Sequence, residues 1–276
     1  MIYCQHFPRP PLAKYVDWFW FYENRFPDHR REHVLPDGTF ELVIDLRETP
    51  RKLFDRQDAS RFDSFRGGWL SGTHSEYLII DAVPDSSMMG VHFKPGGAAP
   101  FLGQPSDELC NQVVELDALW GRSAHELRER LLAAPNPPAK FSVLENFLLA
   151  RMARFGSAAN GQEHVGWALD QFLRQPHQQA IRAVADKLGV SHKHFIAEFR
   201  RQVGLTPKLF CRIRRFQQVL AQINSRTAID WADVAYSCGY YDQAHFVNDF
   251  QAFSGLNPST YLVHRSKYPN FVPVGE

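Results

Sequence analysis

The chain has 276 residues, 44% of them hydrophobic and 22% charged, which excludes fibrous, low-complexity and wholly disordered classes and suits one large domain or two. Cys4, Cys110, Cys211 and Cys238 show neither paired nor metal-like spacing, as expected in a reducing cytosol. No apolar run reaches the roughly 18 residues that span a bilayer, and Met1 to Lys14 lacks a leader pattern, so a cytoplasmic location without a membrane partner is expected.

From the N-terminus, Val16 to Tyr22 reads as a strand buried on both sides, with Trp18, Trp20 and Tyr22 on one face and Phe19 and Phe21 on the other. Pro36, Asp37 and Gly38 form a turn between His33-Val34-Leu35 and the strand Phe40 to Leu46. Trp69 to Gly72, Tyr77 to Ala82 and Met88 to Phe93 are further strands, and such a series suggests a barrel or sandwich. Trp18, Trp20, Tyr22, His33, Trp69 and His92 are the candidate lining of an effector pocket; the same rings would equally fill an ordinary core.

Helices follow. Ser123 and Glu126 make a capping box ahead of Leu127 and Leu131, and Leu144 to Phe155 keeps helical spacing. The polar stretch Gly156 to His164 reads as the domain boundary. A competing reading is a cupin-like small-molecule-binding or metal-dependent enzyme with an incidental basic tail. Its metal site needs two histidines one residue apart on a strand, a carboxylate and a distant histidine, and that spacing does not occur. No G-x-S-x-G motif frames a nucleophile either. The chain is therefore expected to have no catalytic residue, no metal and no cofactor.

The basic charge lies at the far end. Residues 166–276 hold 13 Lys+Arg against 8 Asp+Glu, whereas the first 165 hold 18 against 22. Lys193 to Arg215 alone contains seven cations and one acid, the footprint of a polyanion-binding surface. The same region contains a repeat: Ala185, Gly189, Phe195, Phe199, Gly204 and Pro207 recur as Ala235, Gly239, Phe246, Phe250, Gly255 and Pro258. The offset grows by one after Gly239, so the second copy has one extra residue in its turn.

Each copy reads as a helix-turn-helix. Gly189 ends one helix and Ser191 caps the next; Asp230, with Asp233, caps the second copy. Between the copies, Thr206 and Pro207 start a helix whose apolar face runs from Leu209 to Ile223. Such a strut would let both units enter adjacent major-groove segments from one side. With Phe195, Phe199 and Val203 inward, Lys193, Ile196, Ala197 and Arg200 would meet bases. With Phe246, Phe250 and Phe253 inward, Gln243, Ala244, Val247 and Asn248 would do the same. Arg201, Arg212, Arg214 and Arg215 would hold phosphates.

The stretches VADKLGVSHKHFIAEFRRQVGLTP, RIRRFQQVLAQI and DVAYSCGYYDQAHFVNDFQAFSGLNPSTY resemble the DNA-binding domain of the AraC/XylS family of bacterial transcription regulators. The segments VLPDGTFELVIDL and GVHFKPGGAAPFLG resemble the jelly-roll-like sensor domain of one branch of that family. The resemblance implies an α+β chain in two domains: residues 1–156 a β-rich sensor or dimerisation domain with a helical end, 157–164 a linker, 165–266 the double helix-turn-helix, and 267–276 a tail. It implies a sequence-specific, one-component transcription regulator. Double-stranded DNA, RNA polymerase, a small-molecule effector and a second copy are the implied partners, with helices 123–132 and 140–155 as relay or dimer surface. Ile196 and Ala197 depart from the family's usual polar or basic readers, which points to thymine methyl contacts in the first unit.

Overall fold

The computed structural model describes residues 1–24, 26–155, 162–176, 180–225 and 229–274. Its strands are β1 (Ile2–His6), β2 (Val16–Asn24), β3 (Arg31–Val34), β4 (Glu41–Asp45), β5 (Arg51–Phe54), β6 (Phe62–Phe65), β7 (Gly68–Ser71), β8 (Leu78–Asp81), β9 (Ser86–Phe93), β10 (Val113–Glu115) and β11 (Phe271–Val274). A six-stranded sheet runs β1-β2-β9-β4-β7-β10 and a five-stranded sheet β11-β3-β8-β5-β6. Among the described residues no strand of one sheet pairs with a strand of the other, so the expected barrel or sandwich takes the form of two open sheets.

Alternation along β2 organises the larger sheet. Phe19 and Phe21 are buried with Leu42, Ile44, Met89 and Val91, in one core with Leu127, Leu131, Leu144 and Leu148 of the helices α3 (Arg122–Ala133) and α4 (Pro137–Phe155). Replacing a fully buried ring such as Phe19 by alanine costs about 3–5 kcal/mol. Trp18, Trp20 and Tyr22 face the other way and are only half-buried, so β2 is not sealed on both sides.

The short helices α1 (Ala99–Leu102) and α2 (Leu116–Trp120) precede α3. The Ser123 capping box is not used. Gly121, at φ 56°, turns α2 into α3, and the Ser123 hydroxyl donates to the Trp120 carbonyl at 2.6 Å.

Residues 156–161 of the expected boundary lie outside the described residues, and α5 (Gln162–Arg174) begins immediately after them. Val165, Ala168, Leu169 and Phe172 of α5 enter the core of the helical domain, which continues through α6 (Ile181–Lys187), α7 (His192–Val203), α8 (Pro207–Ser225), α9 (Trp231–Ser237), α10 (Gln243–Ser254) and α11 (Pro258–His264).

The expected tail contains β11. It pairs antiparallel with β3, from Phe271 opposite Val34 to Val274 opposite Arg31, and Val272 is wholly buried in a core that also holds Leu35. The Leu35 N–H donates to the Asn270 carbonyl at 2.9 Å. From α8, Gln217 Nε2 donates to the Pro36 carbonyl at 2.8 Å and to Asn270 Oδ1 at 2.9 Å. Pro273 hides this strand in the sequence, since proline removes a ladder donor and is tolerated only at an edge or bulge.

Candidate nucleic-acid interface

The repeat folds as two helix-turn-helix units. In the first, α6 ends before Gly189, at φ 67°, and Ser191 Oγ accepts the His194 N–H at 3.2 Å to cap α7. In the second, Asp230 caps α9 by accepting the Ala232 and Asp233 N–H groups, and Gly239 takes φ 77°. The extra residue of the second turn brings Asp242 to the start of α10, where its carboxylate accepts the His245 N–H at 2.7 Å. This cap was legible as the repeat partner of Ser191. Gly204 and Gly255, at φ 90° and 72°, end α7 and α10 in the left-handed conformation. The 19 residues of α8 give a strut about 28 Å long.

Phe195, Phe199, Val203, Phe246, Phe250 and Phe253 are buried as their spacing requires. Lys193, Ala197, Arg200, Gln243, Ala244 and Asn248 are exposed, and Ile196 and Val247 are half-buried. Arg200 lies 3.9 Å from Asp107, in the 3-10 turn Ser106–Leu109 of the front domain.

The expected phosphate contacts are placed differently. Arg212 Nη2 lies 2.6 Å from Asp249 Oδ1 and Arg215 Nη2 lies 3.8 Å from Oδ2; Asp249 itself is buried. Arg215 also donates to the Gly239 carbonyl at 3.2 Å and its guanidinium lies 5.0 Å from the Tyr240 ring centroid. Arg214 donates to the Asp37 carbonyl at 3.1 Å, and burial draws its pKa down. Each of the three is thus tied to an acid or a carbonyl, Arg212 with 37% of its side-chain surface still open and Arg215 with 15%. Arg201 remains exposed, paired with Glu198 at 2.6 Å. Glu198 and Asp249 are repeat partners 51 residues apart, so the acid that orders an arginine was a further readable landmark.

Both recognition helices end on the same segment of the front domain. A Cβ on Gly204 would overlap Thr73 Oγ1, and one on Gly255 would overlap the Tyr77 ring. Ser106 Oγ donates to the Gln202 carbonyl at 2.9 Å in the last turn of α7. His33 Nδ1 donates to the Ser254 carbonyl at 2.8 Å in the last turn of α10. The His33 ring stacks on Tyr77 at 4.3 Å, and burial holds its pKa below the usual imidazole value against the pull of that hydrogen bond. His33 therefore belongs to the domain contact and not to the aromatic group expected to line a pocket.

The other members of that group share one face of the larger sheet. Register places His92 opposite Trp18, Gly90 opposite Trp20, Met88 opposite Tyr22, Glu41 opposite His92 and Trp69 opposite Val43. Trp18 stacks on His92 at 4.1 Å. The Trp20 indole lies flat over Gly90, where a Cβ would meet its ring at 2.5 Å, and its Nε1–H donates to Glu41 Oε1. His92 Nδ1 donates to Glu41 Oε2 at 2.6 Å, and its Nε2 lies 3.6 Å from Asp37 Oδ2. Burial alone would lower the His92 pKa; the Glu41 carboxylate, then Asp37 and Asp17, raise it to about 9. Burial also raises Glu41, with His92 and Trp20 opposing. Sequence reasoning missed Glu41 because a single acid in an apolar strand has no motif around it.

Residues 184–263 match the family described as a helix-turn-helix domain, and residues 4–115 match a domain of unknown function, DUF6597. No curated protein matches the chain. Among solved structures, ToxT from Vibrio cholerae is similar at 9% identity over 89% of this chain and 98% of that one, with a TM-score of 0.47. The C-terminal domain of AraT, a response regulator from Geobacillus stearothermophilus, is similar at 19% identity over 40% of this chain and 93% of that one, with a TM-score of 0.36. Two capped units on one strut, matched across both copies, form a helix-turn-helix domain, a fold that binds DNA. The chain therefore carries a helix-turn-helix domain over residues 184–263.

Proposed function

We propose that the chain is a one-component cytoplasmic regulator whose front domain, residues 1–156, senses a small molecule and whose residues 165–266 read two neighbouring major-groove segments of double-stranded DNA. Lys193, Ile196, Ala197 and Arg200 face bases in one half-site, and Gln243, Ala244, Val247 and Asn248 in the other. Glutamine and asparagine suit adenine edges, lysine and arginine suit guanine, and the apolar side chains suit thymine methyl groups. Contact with RNA polymerase and pairing with a second copy, through α3 and α4, belong to the same reading.

The observation that supports it is the common seat of the two heads. α7 and α10 end on the front-domain segment Thr73–Tyr77, while their first turns, with Lys193 and Gln243, are open to solvent. An effector acts in such a molecule by binding unequally to arrangements in which the seat is occupied or released.

Selection of bound sequences from random duplex DNA by the full chain tests the reading. Two half-sites about one helical turn apart are expected, with Lys193→Ala erasing preference in one and Asn248→Ala in the other. A single half-site that neither substitution alters would reject it.

A further inference from the structure

We infer that the half-open aromatic face of the larger sheet is a binding site for a protonated amine, held by the Glu41 carboxylate among the rings of Trp18, Trp20, Tyr22 and Tyr3. The inference rests on the sensing role proposed above and names the ligand class.

Three features converge on an ammonium group. The first is an acceptor with spare capacity. Glu41 receives one N–H on each oxygen, from Trp20 and His92, yet 29% of its side-chain surface is open. A carboxylate has about four lone-pair sites, so about two remain.

The second is charge. Two carboxylates, Glu41 and Asp37, lie within 4 Å of the single His92 imidazole, at 2.6 and 3.6 Å. Asp17 sits at the register shift between Val16 and Trp18.

The third is the wall. Tyr3 lies opposite Tyr22 and Gln5 opposite Trp20 across β1 and β2, and the rings of Tyr3, Trp18, Trp20 and Tyr22 keep open surface. Aromatic faces attract cations, and more strongly once water is thinned out.

The site also touches the DNA-binding half. Tyr268, between α11 and β11, packs on Tyr3 with ring centroids 5.4 Å apart. On the other side, Glu41, His92 and Asp37 lead to Arg214 on α8, the strut that carries both heads. An ammonium at Glu41 competes for the charge that holds His92, and so bears on the Asp37 and Arg214 contacts.

The test is a tryptophan-fluorescence titration of the full chain near neutral pH. Propylamine, phenethylamine and putrescine are compared with alcohols and carboxylates of the same shape at equal ionic strength. At least one amine is expected to give a saturable change, with its alcohol and carboxylate counterparts weaker by about tenfold or more. Glu41→Gln is expected to weaken the amine by about tenfold. Tyr268→Ala, a half-buried side chain outside the core, is expected to weaken it while leaving the melting curve unchanged, which guards against a folding defect in the first variant.

No saturable binding by any amine below about 10 mM overturns the inference, as does equal binding by the Glu41→Gln protein. Affinity for the selected DNA site separates this from the wider reading. If a carboxylate or alcohol binds instead and shifts DNA affinity, the amine assignment falls and sensing stands. If an amine binds as expected and DNA affinity does not move, the site stands and its sensing role falls.

Discussion

Gly204 and Gly255 hold equivalent places in the two repeats, and both press against one front-domain segment, the first on Thr73 and the second on Tyr77. Each is left-handed, at φ 90° and 72°, so each joins a backbone need to a need for space. Gly189 is the control within the molecule, since it has φ 67° with nothing within 4 Å of its missing side chain. Gly189→Ala should cost about 1 kcal/mol, from backbone strain alone, and Gly255→Ala about 2–3 kcal/mol. Urea denaturation measures both, and equal costs would remove the seat from the account.

The three arginine and asparagine substitutions separate reading from holding. Asn248→Ala is expected to cost about 1–3 kcal/mol on the selected site and to relax one base position. Arg201→Ala should weaken all sequences alike and lower the salt slope by about one unit. Arg215→Ala should act on folding: it strips a partner from the buried Asp249 carboxylate and lowers stability by about 1–3 kcal/mol. Thermal melts of the free protein distinguish the last case, and an unchanged melt for Arg215→Ala would contradict the buried pairing.

His92 makes stability depend on alkaline pH. Its folded pKa of about 9 lies above the ordinary value of 6.5, so its contribution is complete below pH 6.5 and disappears as pH rises through 9. At 1.36 kcal/mol per unit the span is at most about 3 kcal/mol. His92→Gln should lose the extra stability that the native chain has at pH 6.5, and the two proteins should converge near pH 9. Denaturant melts across that range measure it, and parallel curves would count against the Glu41 and His92 ion pair.

Two histidines of the front domain, His33 and His74, work in the opposite sense. Burial lowers His33, and lowers His74 to about 4, so both are neutral in the folded protein at neutral pH. Acidification below about 6.5 favours the unfolded chain, which takes up protons first. Stability should fall between pH 6.5 and 4, and less steeply in His33→Gln. Amide exchange at Gly255 and Leu256 follows the loosening directly, and exchange that ignores pH would separate His33 from the contact.

The helical half was legible because its signals are local and repeated. Phe195 and Phe199 announce a buried face at helical spacing, Phe246 and Phe250 announce it again, and the glycines fall where a helix must end. The strand order of the front half was not legible, because pairing joins Trp18 to His92 and Glu41 to His92 across long stretches that no local pattern links. Charge was legible without its partners. Arg212, Arg214 and Arg215 can be counted as cations in the sequence, but the Asp249 carboxylate and the Asp37 carbonyl that fold against them lie far away in the chain.

Val272 fixes the last strand. It is fully buried between the two halves, and Val272→Asp would place an unpaired charge there, at a cost of several kcal/mol. Limited proteolysis should then cut between residues 264 and 270, and the β3 amides should exchange faster. A variant as protected as the native chain would mean that β11 adds nothing to the union of the halves.

The pairing of β11 with β3 also has a consequence for synthesis. A ribosome makes β3 early and β11 only after both helix-turn-helix units, so one edge of the smaller sheet stays bare on the nascent chain for most of translation. A bare edge is a template for pairing with other chains. A truncated product therefore lacks more than a few terminal residues: it emerges with an adhesive border that the finished protein conceals.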